Sequence, residues 1–126
     1  MIIKIDFEGE IPIYVQLKKQ IILGLAKGEL SRGESLPSVR QMAEDIGINM
    51  HTVNKTYNEL KAEGFISIDR RKGAVVNSTS TLLTDEYHEQ LTEEVEFIIA
   101  EAYCRGITEE EFIKITRTAF KQYSNR

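Results

Sequence analysis

The chain has few of the residues that build disulfides and metal centres. Its 126 residues include one cysteine, Cys104, and two histidines, His51 and His88. A single cysteine excludes an intramolecular disulfide and is typical of a reducing cytoplasm. No cluster has the spacing of a zinc site, so we expect neither a metal nor another cofactor. Cys104 lies near an apolar stripe, where we expect a small buried hydrophobic residue.

Long apolar runs are also missing. No run approaches the ~20 residues that a membrane-spanning helix needs. The first ten residues, MIIKIDFEGE, lack the basic segment and apolar core of a signal peptide. Nothing resembles a nucleophile–base pair, a glycine loop that cradles phosphate, or a positioned carboxylate dyad. These absences predict a cytoplasmic protein that is neither an enzyme nor a membrane protein.

The charge is distributed unevenly along the chain. The net charge is −4, but residues 1–80 hold 11 Lys+Arg against 10 Asp+Glu, which gives +1. Residues 81–126 hold 5 against 10, which gives −5. Because the field at a binding surface is set by nearby charges, the overall acidity does not exclude a nucleic-acid-binding surface in the first part.

Helical periodicity begins shortly after the N-terminus. Residues 2–7 alternate apolar and polar, which predicts a short strand or an extended arm. A first helix is then predicted, with Pro12 in its first turn and Gly28 as its C-terminal cap. Its apolar side comprises Tyr14, Leu17, Ile21 and Leu25. Ser38 and Gln41 have the spacing of a capping box, which predicts the start of a short second helix.

The segment from residue 36 to residue 73 predicts a helix-turn-helix followed by a hairpin. Gly47 ends the second helix and supplies the turn, and Asn49 is a suitable N-cap for the third. The third helix has one buried side, formed by Val53, Tyr57 and Leu60. Phe65, Ile66 and Ile68 predict one strand and residues 74–76 its partner, joined by a basic tip at residues 69–73. This layout is that of a winged helix-turn-helix, whose third helix enters the DNA major groove.

Polar side chains cluster where such a fold meets DNA. Asparagine can bond adenine edges, while lysine and threonine serve phosphate or guanine, and a cationic hairpin tip can follow phosphate or enter the minor groove. The predicted DNA contacts are Ser38, Arg40, Asn49, Met50, His51, Thr52, Asn54, Lys55, Arg70, Arg71, Lys72 and Gly73. Two simpler interpretations stay open: Asn49 as a helix cap alone, and the basic tip as a solvated turn.

The acidic C-terminal part predicts a helical appendage. A polar stretch ending in a linker at 78–81 separates a DNA-binding domain at 1–77 from a tail at 82–126. The tail has a long amphipathic helix that ends before Gly106, and a last helix that Thr108 and Glu111 open as a capping box. Residues expected to dimerise are Leu83, Tyr87, Leu91, Val95, Ile98, Phe112, Ile115 and Ala119. The predicted fold class is α+β, mainly α.

Four motifs in order resemble one known family. They are Pro12-Ile13-Tyr14-x-Gln16-Leu17, Gly28-x-Leu30-x-x-Gly33-x-x-Leu36-Pro37-Ser38-x-Arg40, Thr52-Val53 and Glu63-Gly64-Phe65-Ile66. Together they resemble the GntR family of bacterial transcription regulators over about residues 11–76. The resemblance implies DNA contacts from Arg40, residues 49–55 and the wing. The short tail resembles that of the YtrA subfamily, which implies dimerisation and control of a transporter operon.

The functional hypothesis is a homodimeric repressor that binds an inverted repeat in double-stranded DNA, with no membrane partner and an unknown effector. The alternative is a winged-helix module that binds protein and not DNA. An adaptor of that kind would expose apolar residues on the third helix. The sequence shows asparagine, histidine, threonine and lysine there, with Met50 as the exception, and this favours DNA.

Overall fold

The computed structural model describes residues 3–77 and 83–123. The chain forms two compact units, residues 1–82 and 83–126. The described elements are α1 (Ile13–Ala26), α2 (Val39–Ile46), α3 (Met50–Ala62), β1 (Ile66–Asp69), β2 (Gly73–Val76), α4 (Asp85–Cys104) and α5 (Glu109–Lys121). The predicted mainly helical α+β fold is confirmed. The predicted linker at 78–81 lies outside the described residues.

Two glutamines of α1 hold the N-terminal arm. The Gln20 side chain accepts from the Lys4 amide at 2.8 Å and donates back to the Lys4 carbonyl. Gln16 does the same for Asp6, at 2.8 and 3.0 Å. The amide side chains thus take the place of a neighbouring strand, so the described part of the predicted segment is an extended arm and not a strand. Its apolar side chains Ile3 and Ile5 pack against the core.

One hydrophobic core lies under α1, α2, α3 and the hairpin. The predicted buried side of α3 is confirmed, because Val53 and Leu60 are fully buried and Tyr57 nearly so. Side chains spaced three and four residues apart lie on one face of a helix, which explains why these residues meet the core together. The buried apolar residues are Leu17, Ile21, Leu30, Leu36, Met42, Ala43, Val53, Tyr57, Leu60, Ile66, Ala74 and Val76.

The helix boundaries follow the predicted caps with two differences. Pro12 is the N-cap of α1 and does not lie in its first turn. Ser38 accepts from the Gln41 amide at 3.1 Å, but the Gln41 side chain donates to Asp45 at 2.7 Å. The predicted capping box of α2 is therefore only half formed, because Gln41 has a closer charged partner one turn ahead. Gly47 ends α2 with a φ of +81°, a conformation that favours glycine.

The wing is an antiparallel hairpin with a third segment beside it. Ile66 pairs with Val76 and Asp69 with Gly73. Phe65, predicted to begin the first strand, precedes it. The chain at residues 33–36 also forms backbone hydrogen bonds with β2. The Leu36 amide donates to the Ala74 carbonyl and the Val76 amide to the Glu34 carbonyl, each at 2.8 Å.

The tail consists of α4 and α5. Leu83, predicted to begin the long helix, precedes it because Thr84 is the N-cap, accepting from the Tyr87 amide at 3.0 Å. The capping box of Thr108 and Glu111 is confirmed, with both reciprocal bonds present. Cys104 is exposed, so the expectation that it is buried is wrong for this chain, since it ends α4 where no other element covers it. No helix in the described ranges is long and apolar enough to cross a membrane.

Candidate nucleic-acid interface

The residues predicted to contact DNA lie on α2, α3 and the wing. All of them are exposed except Thr52, which is half-buried. Because these side chains are not packed in the hydrophobic core, they are available to contact a ligand. Five of them are cations, namely Arg40, Lys55, Arg70, Arg71 and Lys72. None of the five forms an ion pair with a carboxylate of the described residues.

The start of α3 is fixed by its cap. The Asn49 side-chain oxygen accepts from the His51 amide at 2.7 Å. Capping is therefore present, as the simpler interpretation of Asn49 required, and it leaves the Asn49 amide nitrogen as a donor. His51 and Asn54 are exposed in the first two turns of the helix. The cap gives this polar surface a defined backbone position.

Lys55 lies against α1. Its ammonium nitrogen is 3.9 Å from the centre of the Tyr14 ring, a cation–π distance. The neighbouring Thr56 is fully buried, and its hydroxyl donates to the Tyr14 carbonyl at 3.0 Å. One residue of α1 therefore restrains two successive residues of α3, and the Lys55 charge is held at the surface.

Asp69 organises the wing tip. Its carboxylate accepts from the Arg71 amide at 2.7 Å and from the Lys72 amide at 3.0 Å. The Arg71 amide, the Lys72 amide and the Lys72 charge lower the pKa of Asp69, against a smaller effect of desolvation. Gly73 follows with a φ of +76° and open space where a side chain would stand. The basic tip is therefore a braced turn whose side chains extend from a fixed backbone.

Lys18, unlike the five cations above, has a structural role because it forms ion pairs within the fold. Lys18 of α1 lies 2.7 Å from a Glu63 oxygen and 3.7 Å from a Glu59 oxygen. Burial lowers the pKa of Lys18, but the Glu63 and Glu59 carboxylates outweigh it, so the net shift is upward. This lysine joins α1 to the end of α3, whereas none of the five cations on the predicted DNA surface forms an ion pair of this kind within the described residues.

Sequence reasoning missed two residues of the site. Tyr14 was assigned only to the apolar side of the first helix, and Asp69 only to the hairpin connection. The signal for Asp69 was available, because an aspartate two residues before a turn amide is the pattern of an Asx turn. No local signal could have paired Tyr14 with Lys55, since the contact depends on how α1 packs on α3.

The tail exposes the residues predicted to dimerise. No described residue of α4 or α5 is buried, and exposed fractions reach 70% for Leu83 and 58% for Ile115. Phe112 is half-buried. Phe97 and Phe120, absent from the prediction, are 71% and 69% exposed. An open apolar cleft of about 750 Å³ lies at the turn between α4 and α5. Apolar surface on this scale is typical of an interface.

Taken together, a winged helix-turn-helix with an exposed basic surface defines a transcription regulator of the helix-turn-helix class. Residues 13–76 match the family described as "Bacterial regulatory proteins, gntR family". The chain belongs to the GntR family. Within the described ranges, no three histidine, cysteine, aspartate or glutamate side chains are grouped to hold a metal ion.

Similar proteins indicate the subfamily of the GntR family to which the chain is related. The chain is 34% identical to the HTH-type transcriptional regulator YhcF of Bacillus subtilis (strain 168), over 90% of this chain and 93% of that protein. It is also 34% identical to the HTH-type transcriptional repressor YtrA of the same strain, over 83% and 82% of the two chains. The structure of YtrA from Sulfolobus acidocaldarius, a GntR-family transcription factor, covers 79% of this chain and 99% of its own. Its TM-score is 0.68 and its identity 43%. The chain is a YtrA-like DNA-binding regulator, and these names are those of regulators, not enzymes.

Proposed function

We propose that the chain is a homodimeric repressor that binds an inverted-repeat operator in double-stranded DNA. The observation that carries the proposal is the exposed surface formed by Arg40, the start of α3 and the wing tip. None of its cations forms an ion pair with a carboxylate of the described residues. Phosphate is the partner that such a surface fits, and base edges are within reach of the first turns of a recognition helix.

Dimerisation is supported by the tail. Isolated helices are marginal in water, and most helical stability in proteins comes from the packing of an apolar face. α4 is 20 residues long and buries none of them within this chain. A second copy that covers Leu91, Val95 and Ile98 would supply the missing packing. A two-fold axis would then present two α3 helices to half-sites about one helical turn apart, which requires an inverted repeat.

The proposal extends to the sign of regulation and to the genes that are regulated. The relative YtrA is named a repressor, and a dimer that occupies an operator can repress by blocking access to the promoter. The resemblance to the YtrA subfamily implies that the chain controls a neighbouring transporter operon. We place the protein itself in the bacterial cytoplasm. A reporter fused to the promoter of the chain's own operon should rise when the gene is deleted. Unchanged reporter output would contradict repression while leaving DNA binding intact.

The direct test is a titration of the full-length chain with duplex DNA from its own promoter. We expect nanomolar-range binding that weakens steeply with added salt, because phosphate contacts release counterions. The double variant Arg40→Ala, Arg71→Ala should lower the affinity by at least about tenfold, since hydrogen bonds to charged groups contribute ~1.5–3 kcal/mol each.

Lys27→Ala is the matched control. Lys27 is exposed at the far end of α1, about 20 Å along the helix axis from Tyr14 at 1.5 Å per residue. We expect it to bind as the unaltered chain does. Undiminished binding by the double variant would contradict the assigned surface. Binding of a protein partner with no affinity for duplex DNA would favour the winged-helix adaptor instead.

A further inference from the structure

One exposed side chain on the proposed DNA surface is apolar. Met50 is the first residue of α3 and is 45% exposed, although its neighbours on the helix surface are polar. It lines an open depression of about 330 Å³ between α2 and α3, together with Arg40, Ala43, Glu44 and Ile48. Met50 is not one of the buried apolar residues, which on α2 and α3 include Met42 and Val53, so its long apolar side chain is available to a ligand.

The surroundings of Met50 limit what it can contact. The Asn49 cap fixes the first turn of α3, so the Met50 backbone does not move freely. Arg40, on one rim of the depression, has no ion pair with a described carboxylate and favours an anionic partner. Glu44, on another rim, is exposed and repels phosphate. The depression therefore suits a base edge beside the backbone, and not the backbone itself.

We propose that Met50 reads the C5-methyl group of a thymine in each half-site. This proposal rests on the proposed function. In the major groove the thymine methyl is the one apolar group among the donors and acceptors of the base pairs. Covering a methyl group needs an apolar contact, which the exposed Met50 side chain offers; Thr52, whose side chain also carries a methyl group, is half-buried. Methionine is unbranched and adapts to the shape that it meets.

The test begins with selection of binding sites from a random duplex library, using the full-length chain. Each thymine of the selected site is then replaced singly by deoxyuridine, which lacks only the methyl group. Affinity is measured by fluorescence anisotropy at constant salt. We expect one thymine per half-site at which the replacement weakens binding by about fourfold, the effect of one buried methyl group.

Three variants test whether the weaker binding to the deoxyuridine duplex depends on the Met50 side chain. Met50→Gln keeps the length of the side chain but ends in a polar amide, so it should bind the thymine and deoxyuridine duplexes equally. Met50→Leu keeps an apolar side chain and should retain a deoxyuridine penalty. Asn54→Ala, changed on the same exposed surface of α3, should lower the overall affinity and retain the full penalty.

The outcomes separate this inference from the proposed function. If no sequence is enriched and binding is absent, both are wrong. If a sequence is enriched but no thymine responds to deoxyuridine, or the site contains no thymine, only the role of Met50 is overturned. The same holds if the penalty persists in Met50→Gln or disappears equally in Asn54→Ala.

Discussion

The Lys55 ammonium nitrogen lies 3.9 Å from the centre of the Tyr14 ring. The contact connects the start of α1 to the side of α3 that we propose faces DNA. A lysine side chain has ~2 kcal/mol of rotamer entropy to lose when a ligand fixes it. A ring that already restrains the ammonium group reduces the part of that cost that falls on binding. We therefore expect Tyr14 to act as a positioning residue for the proposed phosphate contact by Lys55.

Tyr14→Leu should weaken binding to the selected duplex by about threefold per protomer. Cation–π contacts at exposed sites are worth ~0.5–1 kcal/mol, and leucine keeps apolar bulk without an aromatic face. Tyr14→Phe keeps the ring and should bind as the unaltered chain does. The measurement is a binding titration at several salt concentrations. Equal affinities for the leucine and phenylalanine variants would contradict the positioning role.

The salt dependence distinguishes positioning from charge. Lys55→Ala removes one phosphate contact from each protomer, so the slope of log affinity against log salt should become shallower by about one per protomer. Tyr14→Leu leaves the Lys55 charge in place and should leave that slope unchanged. A shallower slope in Tyr14→Leu would mean that Lys55 no longer reaches DNA at all.

Asp69 should support DNA binding although its charge opposes it. Asp69→Ala removes the acceptor for the Arg71 and Lys72 amides. The wing tip should then lose its fixed turn, and affinity should fall by about threefold to tenfold, because the cations of the tip would no longer extend from an ordered backbone. Charge alone predicts the opposite sign, because an acid is removed beside phosphate. Affinity titrations decide between the two.

Asp69→Asn is the control for that sign. Its side-chain oxygen still accepts from the two amides, so binding should be equal to or tighter than that of the unaltered chain. The backbone amides also lower the pKa of Asp69. The stabilisation of the turn is therefore present above the ordinary pKa of aspartate and is lost as the pH falls through the lower, folded value. Amide exchange of Arg71 and Lys72 should quicken in Asp69→Ala and not in Asp69→Asn.

The sequence predicted those parts of the fold that local rules determine. The periodic side of α3, the Asn49 cap and Gly47 each follow from helix geometry or from a cap that needs only nearby residues. Tyr57 was correctly predicted as buried, but its hydroxyl bond to the Pro37 carbonyl at 2.8 Å depends on the packing of α3 against the chain before α2. Burial raises the pKa of Tyr57, so the buried phenol stays neutral.

Contacts between distant segments could not be predicted. Gln16 and Gln20 occupy one side of α1 one turn apart, and only the folded chain shows that the N-terminal arm lies beside them. The same is true of Lys55 on Tyr14. For the proposed DNA surface, the sequence predicted which residues are exposed. It did not predict the contacts that position them, such as Tyr14 on Lys55 and Asp69 on the wing tip. Cys104 was predicted wrongly because apolar neighbours in sequence do not ensure a covering element.

Lys18 should contribute to stability through its two carboxylate partners. Lys18→Met keeps the buried aliphatic stem and removes the charge that faces Glu59 and Glu63. The second oxygen of Glu59 is already buried without a hydrogen bond in the described part of the chain, so this carboxylate depends on the nearby charge. We expect the free energy of unfolding to fall by about 1 kcal/mol, at the upper end for partly exposed pairs. Urea unfolding measures this. Lys19→Met, at the adjacent exposed lysine, should change stability far less, and an equal loss there would contradict the pairing.

The pH dependence of that contribution has a definite sign. Because the pKa of Lys18 is raised in the folded chain, its stabilising effect is fully present below the usual lysine value and is lost as the pH rises through the folded value. Tyr57 titrates in the same alkaline range, so the useful quantity is the difference between the unaltered chain and Lys18→Met. That difference should be constant below the ordinary lysine pKa of about 10.4 and should shrink as the pH rises above it.

Val95→Asp should separate the proposed dimer. Val95 is 37% exposed in the single chain and lies on the predicted apolar side of α4 with Leu91. A buried carboxylate without a partner is strongly unfavourable, so light scattering should give the 14.4 kDa mass of one chain. Affinity for the full inverted repeat should fall by at least about 100-fold, because the two half-sites would no longer be bound by one molecule.

Phe97→Asp introduces the same charge about 200° away around α4, at ~100° per residue. Phe97 is 71% exposed and Val95 is 37% exposed. Exposure alone would therefore favour Phe97 as the interface residue, but Phe97 does not lie on the helical stripe that contains Leu91 and Val95. We expect this variant to stay dimeric and to bind DNA normally. If Phe97→Asp gives the single-chain mass and Val95→Asp does not, the interface lies on the other side of α4. If neither does, the tail is not the dimerising element.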